Sequence, residues 1–194
     1  MSPPEQQQNN RRKPPKSYTD DISHSDSASL HINMQAIGVV HSNYRERFAT
    51  PRQPVLGKPQ TAQIRLNAGM NFDQALQDLD GFSHIWVIYW MHLNRGWNPT
   101  VIPPRGPKIR RGTFATRAPH RPNSIGLSAV CLKRIEGRIL HIEGHDMLDG
   151  TPVLDIKPYL PYADAIADAT SGWLADTELS NAVAPALMSS RTKT

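Results

Sequence analysis

A single cysteine, Cys131, is all the thiol this chain carries, which excludes an intramolecular disulfide framework and any cysteine-rich zinc site. A reducing compartment follows. Long apolar runs are also missing: none approaches the roughly 18 residues that a spanning helix needs, and the start of the chain holds no apolar signal core. These two absences predict a cytoplasmic protein with no membrane segment. The sequence contains no Walker A pattern, no G-x-G-x-x-G and no H-E-x-x-H, so it gives no footing to a P-loop, a Rossmann sheet or a zincin. His141 and His145 stand four apart, but Gly144 and a strand-like setting deny them one helical face, and no metal is expected. No serine occupies a G-x-S-x-G elbow, and Cys131 falls mid-strand, where it reads as a buried, inert thiol.

Acidic residues are missing from one long stretch. Between Arg95 and Arg121 stand seven basic residues (Arg95, Arg105, Lys108, Arg110, Arg111, Arg117 and Arg121) and no aspartate or glutamate, in a chain of net charge +5. Such a block is either a solvated loop or a surface for phosphate or carboxylate.

At 194 residues the chain has room for one compact domain. Residues 1–32 are rich in Pro, Gln, Asn and Ser with few large apolar groups, and are expected to be disordered. The folded domain is expected over 33–164, and a weakly structured tail over 165–194. Inside the domain, "MQAIGVVH" (34–41), "TAQIRL" (61–66), "HIWVIYWMHL" (84–93), "GTFAT" (112–116), "SIGLSAVCLKRI" (124–135), "RILHIEG" (138–144) and "PVLDIK" (152–157) read as strands. One helix is predicted in "NFDQALQDLDG", with Asn71 as cap, Phe72, Ala75, Leu76 and Leu79 on one face and Gly81 at its end. Glu136-Gly137 predicts a hairpin. Many short strands with one short helix and no βαβ alternation give a mainly β fold, a single closed or nearly closed β-barrel.

Four segments combine polar groups with backbone-fixing residues. In "FATPRQP" (48–54) two prolines hold Arg52 and Gln53 in place. In "FSHIWVIYWMHLN" (82–94) alternation puts Trp86, Ile88, Trp90 and His92 on one face and Ile85, Val87, Tyr89 and Met91 on the other. "TFATRAPHRPNSIGLSAV" (113–130) offers the planar fork of Arg117 beside Pro119 and Pro122. That fork suits a carboxylate or phosphate ligand; pairing with Asp146, Asp149 or Asp155 is the alternative. In "DMLDGTPVLDIKPYLPYAD" (146–164), Asp149-Gly150-Thr151-Pro152 is a sharp turn whose carboxylate either caps the turn or accepts ribose hydroxyls.

Taken in order, "IGVVHSNYRERFATPRQP", "GFSHIWVIYWMHLN", "GTFATRAPHRPNSIGLSAV" and "DMLDGTPVLDIKPYLPYAD" resemble the TsaA-like, or TrmO, family of β-barrel tRNA methyltransferases, over about residues 34–164. The resemblance implies S-adenosylmethionine as cofactor, tRNA as partner, a homodimer with sites near the subunit interface, and methyl transfer to N6 of threonylcarbamoyl-adenosine 37. It also implies cofactor contacts from Arg52, Gln53 and Pro54, from Met91 and His92, from Arg117 and Leu127, and from the turn Asp149, Gly150, Thr151 and Pro152. In that reading Arg117 holds the methionine carboxylate, Leu127 packs the adenine and Asp149 takes the ribose hydroxyls. His92, Asp149 and Tyr89 are the candidates for taking the N6 proton, and Arg110, Arg111 and Arg121 are the candidates for tRNA phosphates. Longer bacterial relatives carry a further C-terminal domain, which leaves two alternatives open: a barrel that binds cofactor or RNA without methylating, and a methyltransferase with another acceptor.

Overall fold

The computed structural model describes residues 31–46, 49–54, 59–104 and 106–175. The expectations for residues 1–30, for the tail beyond residue 175 and for Arg105 lie outside the described residues. In chain order the elements are β1 (Gly38–His41), β2 (Thr61–Leu66), the one-turn helix α1 (Phe72–Ala75), β3 (His84–Trp90), β4 (Thr100–Val101), β5 (Arg111–Gly112), β6 (Ile125–Glu136), β7 (Ile139–Glu143), β8 (Pro152–Pro158) and the one-turn helix α2 (Pro161–Asp164).

Alternating polarity builds the interior. On β2 the residues Ala62, Ile64 and Leu66 turn inward, and on β3 Ile85, Val87 and Tyr89 do, because successive strand side chains point to opposite faces. Six strands close into a barrel in the order β1-β2-β7-β6-β3-β8, which leaves no unpaired edge in that sheet. Val40, Ile64, Ile85, Val87, Val130, Leu140, Ile142 and Val153 fill it and are at most 1% exposed. Each such side chain contributes about 1.5–3 kcal/mol through removal from water.

Every neighbouring pair in the barrel is antiparallel. Strand direction therefore alternates around the barrel, and the β1–β2, β3–β6 and β7–β8 connections all leave from one end. The opposite end is covered from outside. There the β2–β3 connection buries Leu76 and packs Phe72 and Leu79 against the core.

That connection departs from the predicted helix. One α-helical turn ends at Ala75, Asp78 takes a left-handed φ of 64°, and a 3₁₀ turn follows at Leu79–Gly81. Three apolar anchors must reach the barrel end within a short connection that returns to β3, and a continuous helix would carry the chain away. Asn71 is left-handed and makes no capping bond to the backbone; its Nδ2 donates to Gln74 Oε1 at 2.8 Å. The predicted hairpin is present. Glu136 pairs with Ile139 across a two-residue connection in which Gly137 adopts φ 55°, a conformation glycine takes without strain.

Further expectations change. The strand expected over 84–93 ends at Trp90, so His92 lies in a turn and not on a strand face with Trp86, Ile88 and Trp90. The segment 112–116 is not a strand beyond Gly112, because the chain enters a 3₁₀ turn at Thr113–Ala115. Thr113 donates its amide to Pro99 O at 2.9 Å, a last rung beside the β4–β5 ladder, and its hydroxyl to Asn98 O; beyond it the Thr116 amide bonds back to Thr113 O at 3.1 Å and closes the turn. Cys131 is half-buried rather than buried, on the outward side of β6 opposite His84.

Candidate functional site

Most residues expected to carry function lie on connections that meet at one end of the barrel; Tyr89 and Leu127 lie within β3 and β6. Arg52, Gln53 and Pro54 lie between β1 and β2. Met91, His92, Arg110, Arg111, Arg117 and Arg121 lie between β3 and β6, or in the short β4–β5 ladder within that connection. Asp149, Gly150 and Thr151 lie between β7 and β8, with Pro152 opening β8. The antiparallel closure makes these three connections neighbours, although the sequence separates them by up to 100 residues.

Long-range bonds tie the connections together. Arg117 Nη1 donates to Gln53 Oε1 at 2.5 Å, and Gln53 Nε2 donates to the Arg52 carbonyl at 2.7 Å. Ser42, just past β1, donates its amide to Asp149 Oδ1 at 3.1 Å and its hydroxyl to Met147 O at 3.1 Å. Asp149 donates its own amide to Tyr44 O at 2.8 Å, and the Tyr44 ring lies 5.1 Å from that of the buried His145. The β7–β8 connection thus folds over the barrel end, with Met147 and His145 each 1% exposed. Burial holds the His145 imidazole below its ordinary pKa, so it is neutral, and its Nδ1 accepts the Met147 amide at 3.3 Å.

Beneath this cover the interior turns polar. Asp146 Oδ1 accepts from the Ser128 hydroxyl at 2.5 Å, and Ser128 Oγ sits 3.3 Å from the Tyr89 hydroxyl. Burial raises the Asp146 pKa; the Ser128 bond, a backbone amide and the charge of Arg117 partly offset it. Tyr89 is pushed up as well, first by burial and then by the Asp146 charge. Beside Tyr89 stands Gly126, its partner on β6. A Cβ there would lie 2.3 Å from the ring, so the ring occupies the space a side chain would need.

Of the three pairings open to Arg117, Asp146 alone feels its charge, and none is a direct ion pair. Asp155 pairs with Lys157 at 2.8 Å, Asp149 is bonded to Ser42, and among the described residues Arg117 forms no ion pair. Its exposed guanidinium has five N–H donors, and the Gln53 bond uses one. Asp149 likewise commits one carboxylate oxygen to the Ser42 amide. On the outer surface Leu127 and Trp90 are 54% and 36% exposed, on adjacent strands. A cation for a carboxylate, a carboxylate for a diol and a flat apolar wall suit S-adenosylmethionine.

The remaining arginines differ in setting. Arg121 Nη1 donates to the carbonyls of Thr113 and Thr116 at 3.2 and 2.8 Å, and its guanidinium lies 5.6 Å from the Phe114 ring centre. Arg111 lies 5.2 Å from the ring centre of Trp173, while Arg110 makes a long 3.5 Å bond to Thr100. At the far end of the barrel a shallow depression is lined by Asp73, Asp78 and Asp80. Its charge is wrong for a nucleic acid.

The family model for the tRNA-methyltransferase O N-terminal domain matches residues 39–165. The chain belongs to this family. The tRNA (adenine(37)-N6)-methyltransferase of Escherichia coli strain K12 is 45% identical over 146 residues, covering 72% of this chain and 62% of that protein. The enzyme of the same name from Mus musculus is 42% identical over 135 residues, covering 68% of this chain and 31% of the relative. The crystal structure of TrmO from Pseudomonas aeruginosa superposes with a TM-score of 0.64 at 42% identity, covering 74% of this chain and 63% of that one. The chain therefore spans less than two thirds of the length of these relatives, and the shared part is the tRNA-methyltransferase O barrel.

Ser128 and Asp146 are the interior groups that sequence patterning passed over. The signal for Ser128 was present: alternation from Gly126 to Val130 puts a hydroxyl on a buried face, where it needs a partner. Asp146 entered only as a possible ion pair for Arg117. Ser42 accepts the Tyr44 amide locally at 3.2 Å, but nothing nearby in sequence marks its bonds to Met147 and Asp149, 105 and 107 residues away.

Proposed function

We propose that this chain is an S-adenosylmethionine-dependent methyltransferase that modifies N6 of adenosine 37 in tRNA, with threonylcarbamoyl-adenosine as the acceptor. The observation that carries the reading is the Arg117–Gln53 bond, which joins two of the family's cofactor segments across 64 residues at the barrel end where the Asp149 turn also lies. The names of the full-length relatives support the same activity.

When bound, the cofactor supplies a methyl group on a sulfonium, already activated for transfer. Arg117 holds the carboxylate of its methionine part, steadied by Gln53, so that the cation is in place before binding. Arg52 and Pro54 flank that amide, while Met91, His92 and Leu127 bound the apolar side. The Gly150-Thr151-Pro152 turn keeps Asp149 in position for the ribose hydroxyls; Gly150 takes φ 75° and Thr151 is buried. The acceptor N6, a urea nitrogen in threonylcarbamoyl-adenosine, must lose its one proton as the methyl group arrives. Tyr89 is least suited to take it, because its phenol keeps its own proton well above neutral pH, which leaves His92 and Asp149.

Arg110 and Arg111, on the acid-free β3–β6 connection, meet tRNA phosphates in this reading, whereas Arg121 is committed to the Thr113 and Thr116 carbonyls. The protein works in the cytoplasm as a homodimer. Support for a second copy comes from the exposed apolar residues Trp90, Leu93 and Trp97 at the end of β3 and in the loop after it, which a partner surface would cover. No helix among the described residues is long and apolar enough to cross a membrane.

Nucleoside analysis tests the activity. Transfer RNA from cells lacking the protein should lose the N6-methyl form of threonylcarbamoyl-adenosine, and the purified chain with S-adenosylmethionine should restore it. Unchanged nucleosides in the deletion strain would overturn the assignment. Cofactor binding without restoration would identify a barrel that binds but does not methylate.

A further inference from the structure

Phe114 is 77% exposed, yet its backbone is among the most restrained in the β3–β6 connection. It sits in the 3₁₀ turn Thr113–Ala115. Thr113, itself 2% exposed, anchors the turn through its bonds to Asn98 and Pro99. Thr116 closes it by donating its amide and hydroxyl to Thr113 O at 3.1 and 2.9 Å. Arg121 staples Thr113 O and Thr116 O from one side, and the Trp173 indole donates to Ala115 O at 2.8 Å. A phenyl ring is thus held out in water on a fixed turn, with the Arg121 guanidinium beside it. Exposure of this degree adds little to folding.

We propose that Phe114 is a stacking platform for an unpaired base of the RNA, and that Arg121 acts by setting the platform rather than by gripping phosphate. The inference rests on the tRNA reading above and assigns it a second kind of contact. Charge points to the occupant: the ring stands within the stretch from Arg95 to Arg121 that has seven basic and no acidic residues, which favours a polyanion over an ordinary protein surface. Unpaired bases of RNA loops stack on exposed aromatic rings and on arginine planes, and adenosine 37 belongs to such a loop. The ring lies three residues from Arg117, the proposed cofactor ligand. Because the turn is already bonded, stacking orders only the base and the ring, which keeps the entropic cost of binding small.

The test is tRNA binding to the full chain, measured by fluorescence anisotropy at several salt concentrations, with sedimentation velocity on the same samples. Phe114→Ala should weaken binding about 5- to 150-fold, the range expected for one base stacked on one ring. The slope of log affinity against log salt should not change, since no phosphate contact is removed. Phe114→Trp should bind at least as well as the wild type, and Phe114→Leu should lose nearly as much as alanine, because it keeps apolar area without a π face. Wild-type affinity in Phe114→Ala would overturn the stacking role and leave the tRNA reading standing. No tRNA binding by the wild type at low salt would remove the tRNA reading itself. A loss in Phe114→Ala accompanied by dissociation of a dimer would place the ring in a contact between copies and overturn the proposal.

Discussion

Replacing Gly126 by alanine is a sharp probe of the barrel's polar end. The added Cβ would stand 2.3 Å from two carbons of the Tyr89 ring and 2.8 Å from a third, where ordinary contact begins at 3.4 Å. One of the two must move by roughly 1 Å, on the steep side of the van der Waals well. Neither moves freely: Gly126 is held in register against Tyr89 on β3, and Tyr89 is 8% exposed with its hydroxyl beside Ser128. Overpacking of this kind costs about 2–3 kcal/mol, read as a fall of roughly 1–2 M in the urea midpoint. The informative measurement is a double-mutant cycle with Tyr89→Val, which removes the ring. With the ring gone, alanine at a glycine of ordinary strand conformation should stabilise by about 0.4–1 kcal/mol through the unfolded state. The sign of the Gly126→Ala effect should therefore reverse, giving a coupling of roughly 2.5–4 kcal/mol. An equal cost in both backgrounds would refute the idea that glycine is required there to make room for Tyr89.

Arg117→Ala should weaken S-adenosylhomocysteine binding by about 1.5–3 kcal/mol in calorimetry with thermal stability little changed, since the side chain is exposed and its one hydrogen bond among the described residues is to Gln53; unchanged affinity in a folded variant would remove it from the cofactor site. His145 titrates below its ordinary 6.5 because it is buried, so beneath pH 6.5 the unfolded chain takes up a proton that the folded chain refuses. Stability should fall as pH drops from 7 toward 5, and His145→Gln should flatten that slope in urea titrations at each pH. Asp146 shifts the other way: burial raises its folded pKa above 3.8, so its contribution is full at lower pH and is lost as pH rises through the folded value. Asp146→Asn, which can still accept from Ser128, should gain stability relative to the wild type on crossing that window. Neutralising Arg110 and Arg111 together should flatten the salt dependence of tRNA affinity by roughly 0.7–0.9 log units per lost phosphate contact while leaving cofactor affinity unchanged.

Local chemistry was enough to make much of this legible from residues alone. The alternation in "TAQIRL" gave β2 to the residue, because a strand with one face in the core must repeat every two positions. The β3 alternation placed Ile85, Val87 and Tyr89 on one face, and that face is the interior. Gly137 marked its hairpin through a backbone angle that other residues avoid. The rigid turns rich in proline, glycine and arginine were also visible in consecutive residues, but singly they read as ordinary turns, and only their resemblance, taken in order, to the family joined them into a candidate site.

Tertiary structure decided what depends on distant partners. The expected helix at 71–81 is broken because its apolar residues answer to the barrel end. The segment after Gly112 is a turn held by distant groups: Asn98 takes the Thr113 hydroxyl, and Arg121 takes the Thr113 and Thr116 carbonyls. No pattern within either segment joins Gln53 to Arg117, Ser42 to Asp149 or Ser128 to Asp146. Those contacts exist because the strands close in the order β1-β2-β7-β6-β3-β8, which brings three connections to one end of the barrel. That order is set by the free energy of filling a common interior, a property of all six strands at once and of no single segment.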